Sequence, residues 1–144
     1  MKSCQRLMIK KYFTLEQAQE ILKEIKETMQ KLLEGKENID LLNSIKIDYT
    51  DDYQGEFNEL NFTKINKEFH KLSYEFFLRI EDLENKGCIL KDLNEGLVDF
   101  YSIFEGKEIF LCWKYGEERI EYWHDLEGGF EGRQHISQLF NKSK

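Results

Sequence analysis

Three residues near the C-terminal end of this chain are of types that bind metals or activate one another: Asp99 in "GLVDFYSIF", Cys112 in "EIFLCWKY" and His124 in "RIEYWHD". Carboxylate, thiolate and imidazole together make a mixed oxygen, sulfur and nitrogen donor set, which suits zinc or another divalent ion. A thiol beside an imidazole could instead serve as a nucleophile, and the same groups could line a polar pocket for a small ligand. Tyr122 and Arg133 extend the ligand-binding candidates, Arg133 as an anion clamp on the glycine-rich "GFEGRQ".

Whether these groups meet depends on strand register. A two-residue hairpin turn at Glu105 and Gly106 pairs Phe104 with Lys107, which sets Asp99 opposite Cys112 and Val98 opposite Trp113. A three-residue loop at Gly116 to Glu118 pairs Tyr115 with Arg119, and so Cys112 with Tyr122 and Phe110 with His124. Alternation then collects Val98, Phe100, Ile109, Leu111, Trp113 and Trp123 on one face, suited to covering helices. Asp99, Tyr101, Phe110, Cys112, Lys114, Tyr122 and His124 fall on the other. Opposed Cβ atoms on neighbouring strands are about 5 Å apart and diagonal ones about 7 to 8 Å, so Asp99, Cys112 and His124 can converge, whereas a slip of one residue scatters them.

Each residue also has a plainer role open to it. Cys112 could be a small buried hydrophobe, His124 a hydrogen-bonded structural imidazole, and Arg133 half of an ion pair. Asp99 within an apolar run needs partners, from backbone or from Arg133. "GGFEG" lacks the strand-then-helix setting of a phosphate loop, and His70 falls beside the apolar stripe of its helix, on the solvent side.

The elements that must position the site begin with Thr14, an N-cap whose capping box is completed by Gln17. Ala18, Ile21, Leu22, Ile25, Met29, Leu32 and Leu33 then recur at helical spacing, and Gly35 stands as a C-cap, giving a helix of roughly 30 Å. A second stripe runs through Phe57, Leu60, Ile65, Phe69, Leu72, Phe76, Ile80 and Leu83 to a stop at Gly87, a helix over about 56–86. Residues 36–55 between them read as a loop with a helical start. After Gly87 the period becomes strand-like, and the tail from Leu126 reads as a loop with at most one helical turn. The fold expected is α+β: a long antiparallel two-helix hairpin (about 14–86), an antiparallel β-meander of three to four strands (about 88–125) and a C-terminal loop and tail (126–144), all in one domain (1–144).

The chain has 144 residues, a net charge of -7 and 34% charged residues. That length suffices for one core without staples, and the acidic balance argues against non-specific nucleic-acid or anionic-membrane binding. "MKSCQRLMIKKYFT" shows neither the hydrophobic region nor the small-residue cleavage site of an export signal, so none is expected, and no apolar run is long enough to span a membrane. Cys4, Cys88 and Cys112 are odd in number and show no CxxC spacing, as expected of reduced thiols in the cytoplasm.

"YFTLEQAQEIL", "KGCILKDLNEGLVDF", "LCWKYGE" and "YWHDLEGGFEGRQ" resemble the uncharacterised prokaryotic family called domain of unknown function 2203, over residues 12–34 and 86–135. Tyr101 and His135 stand where such proteins commonly carry proline. The resemblance implies a helical hairpin joined to a small sheet and supplies no activity.

Two functions are compatible with these readings. The leading one is a cytoplasmic interaction or adaptor module that pairs with a second copy, or with another protein, through a hairpin whose stripes exceed what a small sheet can cover. The alternative is a small-ligand or divalent-metal-binding domain, open to enzymatic use, with its site on the polar face of the sheet. Zinc or a similar ion is the one cofactor the sequence suggests.

Overall fold

The computed structural model describes residues 10–51 and 59–141, and the chain is α+β. Helices α1 (Leu15–Asp51) and α2 (Glu59–Asn85) precede strands β1 (Ile89–Asp92), β2 (Leu97–Phe104), β3 (Lys107–Lys114) and β4 (Tyr122–Asp125). A 3-10 turn (Phe130–Gly132), β5 (Gln134–His135) and α3 (Ser137–Asn141) complete the order. The sheet is an antiparallel meander, β1-β2-β3-β4-β5. The expected meander of three to four strands thus gains a two-residue fifth strand in the stretch expected to be loop. Among the described residues no helix is long and apolar enough to cross a membrane.

α1 starts where the capping box places it. The Thr14 amide donates to Gln17 Oε1 at 3.0 Å and the Gln17 amide to Thr14 Oγ1 at 3.1 Å. Gly35, however, does not stop it, and residues 36–51 continue the helix instead of forming the expected loop. A helical glycine costs about 1 kcal/mol relative to alanine. Here Gly35 packs beside Phe76 of α2, whose ring carbon would lie at an ordinary contact distance, 3.7 Å, from a Cβ at this position. The Lys36–Asp40 ion pair, 2.8 Å, spans the next turn. At 37 residues α1 is about 55 Å long, not 30 Å. Cys4, Phe57 and residues 52–55 of the expected loop lie outside the described residues.

Gly87 does end α2. Its φ of 90° lies in the left-handed region, and the amides of Gly87 and Cys88 reach back to the carbonyls of Glu84 and Leu83, both at 3.0 Å. This is the Schellman pattern, and Cys88 and Leu83, both buried, supply its apolar contact. The chain is thereby turned directly into β1.

The core lies between the hairpin and one face of the sheet. Ala18, Leu22, Ile25, Met29 and Leu32 of α1 and Leu83 of α2 pack with Val98, Phe100, Ile109, Leu111, Trp113 and Trp123. Every member of the apolar sheet face expected from alternation is buried there.

Gly87→Ala forces an L side chain to positive φ and sets its Cβ 2.9 Å from Lys11 Cδ and 3.0 Å from the Phe13 ring. A loss of at least about 1–2 kcal/mol is expected, read as a lower denaturant midpoint at unchanged m-value.

Candidate metal centre

The register of the central ribbon follows from two tight constraints. Glu105 (φ 53°) and Gly106 (φ 78°) make a hairpin turn with both central residues at positive φ, whose twist matches the strands it joins. Phe104 therefore pairs with Lys107, Asp99 with Cys112 and Val98 with Trp113. On the other side of β3, Cys112 pairs with Tyr122 and Phe110 with His124. The connection between β3 and β4 is wider than the expected three-residue loop, and Tyr115 and Arg119 fall outside the ladder. The expected register survives because side chains fasten this connection. Gln19 of α1 accepts from the Ile120 amide and donates to the Ile120 carbonyl, both at 3.0 Å, and Trp113 Nε1 donates to the Glu117 carbonyl at 2.9 Å.

Asp99, Cys112 and His124 are all buried, and one oxygen, the sulfur and one ring nitrogen lie within 4.8 Å of one another. His124 Nδ1 is 2.6 Å from the Asp125 carbonyl and Nε2 is 3.0 Å from Asp99 Oδ2. A carbonyl only accepts, so Nδ1 carries a proton, and Nε2 is the nitrogen directed at the other two groups. Burial opposes charge on this imidazole, but the hydrogen bonds to Asp99 and Asp125 and the Asp99 charge outweigh it, so its pKa is raised above the usual histidine value. Asp99 Oδ1, buried, has no hydrogen-bond partner. Such an oxygen is costly to leave in a protein interior.

The Cys112 thiol is pushed up to about 12, first by burial and then by the Asp99 charge, with Arg133 acting weakly the other way. A nucleophilic cysteine needs the opposite shift. Burial beside Asp99 therefore favours Cys112 as a neutral thiol, or as a thiolate held by a metal cation, over an activated nucleophile.

Arg133 is not the partner of Asp99. Its Nη2 donates to Glu117 Oε1 at 2.6 Å and to the Cys112 carbonyl at 3.3 Å, and its guanidinium stacks over the rings of Tyr122 (4.1 Å) and Phe130 (4.9 Å). Arg133 and Tyr122 thus stand beside the three buried groups and fasten the Phe130 turn to the polar face of the sheet. A cavity of about 150 Å³ opens over Asp99, Cys112 and His124 and is lined also by Lys91, Leu97, Leu126, Glu127, Gly129 and Phe130. Glu117, Lys91 and Glu127 were not among the expected site residues. Alternation along "CILKDL" could have flagged Lys91, whereas Glu117 is placed by loop geometry that no period encodes. Tyr101 and His135 occupy ladder positions in β2 and β5, and His70 is exposed, as expected.

The family model described as an uncharacterized conserved protein (DUF2203) matches residues 11–136. No curated protein and no solved structure matches the chain.

Because the pKa of His124 is raised, its protonation contributes stability that is fully present below about pH 6.5, the unfolded value. That contribution is lost as pH rises through the higher folded value. In chelator-containing buffer, denaturant midpoints are expected to fall across this window, and His124→Asn to flatten the fall. Iodoacetamide is expected to leave Cys112 unmodified in the folded protein at neutral pH and to label it on unfolding, as checked by peptide mass spectrometry.

Proposed function

Because this chain belongs to the DUF2203 family, whose description names no reaction, its chemistry must be read from its own buried groups, and we propose that Asp99, Cys112 and His124 bind a divalent metal ion, zinc in the first instance. The observation that carries this reading is the meeting of three unlike donors, all buried and within 4.8 Å of one another, in a site where one carboxylate oxygen has no partner. Zinc bonds of about 2.0–2.3 Å at tetrahedral angles ask for donors roughly 3.5 Å apart, a modest adjustment from separations of 3.0 Å for His124 Nε2 and Asp99 Oδ2 and up to 4.8 Å across the set.

The charges fit. An aspartate, a thiolate and a neutral imidazole balance a divalent cation, so the buried site is neutral when filled. The Asp125 carbonyl holding Nδ1–H is the usual outer partner that fixes the tautomer of a ligating histidine and leaves Nε2 for the metal. Binding displaces the thiol proton of Cys112 and any proton on Nε2, so affinity rises with pH. The fourth position faces the cavity, where Glu127 or a water molecule can occupy it. Self-association through the hairpin concerns a different surface and leaves this site untouched.

Protein purified without chelator is expected to carry one zinc per chain by elemental analysis. The chelated form should take up cobalt with the intense near-ultraviolet band of a cobalt–thiolate bond. Cys112→Ser removes that band, and Asp99→Asn and His124→Ala weaken binding by at least about tenfold, the scale of losing even an outer-shell partner. A parent protein that takes up neither zinc nor cobalt at neutral pH overturns the proposal.

A further inference from the structure

The face of α2 turned away from α1 is apolar at its middle and charged in opposite senses towards its ends. Phe76, Ile80 and Leu83 face the core. On the opposite side of the helix, Tyr74 and Phe77 are each 65% exposed and Leu78 46%, three large side chains that one helix face gathers at i, i+3 and i+4. Nothing else among the described residues exposes three large apolar groups on consecutive positions of one helical stripe.

The same stripe continues to the exposed Lys67 and Lys71 on the N-terminal side and to the exposed Glu81 and Glu84 on the C-terminal side. The remaining charges nearby, Glu68, Glu75 and Arg79, project from a flank of the helix about a quarter turn or more away. A parallel partner would set lysine against lysine and glutamate against glutamate. An antiparallel copy related by a twofold axis at the level of Phe76 sets Tyr74 against Leu78 and Lys71 against Glu81, and brings Lys67 within one residue of Glu84. Like surfaces then become complementary, as an isologous interface requires.

We infer that α2 docks antiparallel on α2 of a second copy of this chain, with Tyr74, Phe77 and Leu78 at the centre of the interface and lysine–glutamate pairs at its two ends. α2 is 27 residues long, about 40 Å, which gives the two helices room for a shallow, coiled-coil-like crossing. The metal site lies at the sheet end and takes no part, so this inference stands or falls independently of it.

Sedimentation velocity of the full chain, from low micromolar to several hundred micromolar, is expected to show a monomer–dimer equilibrium. Phe77→Glu and Tyr74→Glu, each checked by circular dichroism for unchanged helix content, should weaken dimerisation at least tenfold. Lys67→Glu alone should also weaken it, and adding Glu84→Lys should restore it at low salt. A monomer throughout the concentration range overturns the inference, as does a dimer indifferent to both aromatic substitutions. A dimer that responds to Phe77→Glu but is not restored by the charge exchange overturns the antiparallel register.

Discussion

A carboxylate placed on the second strand of a buried meander has to be met by something, and the polar half of this protein is organised around that demand. Asp99 is 1% exposed, with apolar neighbours before and after it in β2. Its side chain is almost wholly withdrawn from bulk solvent, and its neighbours on the same face come from the adjoining strands: the thiol of Cys112 from β3 and the imidazole of His124 from β4. His124 satisfies one oxygen and leaves the other bare. A bound cation would complete what the histidine begins. It would also offset what raises the Cys112 pKa, burial first and the Asp99 charge second, by supplying a positive charge to the thiolate.

The two faces of the sheet divide the labour cleanly because the period of a strand is two residues. The indoles of Trp113 and Trp123 go to the helices, while Cys112 and His124, next to them in sequence, go to the polar face. A slip of one residue would exchange these sets and bury the carboxylate, thiol and imidazole against the helices. The tight turn at Glu105 and Gly106 is therefore as much a part of the site as the groups themselves. So is Gln19, which pins the looser connection between β3 and β4 through Ile120. Arg133 works on the third side, closing the glycine-rich segment onto the site through Glu117 and two aromatic rings.

The parts legible in the sequence are those set by local rules. The Thr14 capping box, the stop at Gly87, the hairpin turn and the alternation of β2 and β3 each depend on a few neighbouring residues, and together they were enough to bring Asp99, Cys112 and His124 to one face. The misread parts depend on contacts distant in sequence. Gly35 carries the signature of a helix stop, yet the helix runs through it and packs there beside Phe76 of α2, and nothing within its own turn of helix reveals that. The connection after Lys114 takes its shape from a glutamine in α1 and an indole in β3. β5 forms because the tail is drawn back onto β4, with His135 against the Tyr122 ring. Arg133 was visible as a cation on a glycine-rich loop, but its partner, Glu117, is chosen by folding and not by spacing.

The length of the hairpin is harder to account for by the fold alone. Among the described side chains of α1 the last fully buried one is Leu32, and none from Leu33 to Ile45, or from Asn61 to Asp82, is fully buried. Beyond the sheet, therefore, two helices cover each other with half-buried stripes. Pairs of this kind gain little from propensity and depend on tertiary burial for their stability. If the hairpin served only to roof the sheet, selection for stability would favour ending α1 near Gly35, where the stop signal already stands. A glycine that is overridden, a helix extended well past the core and an apolar stripe facing away from both all make sense together if the distal hairpin finds its remaining burial outside its own chain. The Schellman turn from Leu83 to Cys88 is then the junction between an end that associates and an end that holds the buried polar groups. Chemistry can change at one end without disturbing burial at the other.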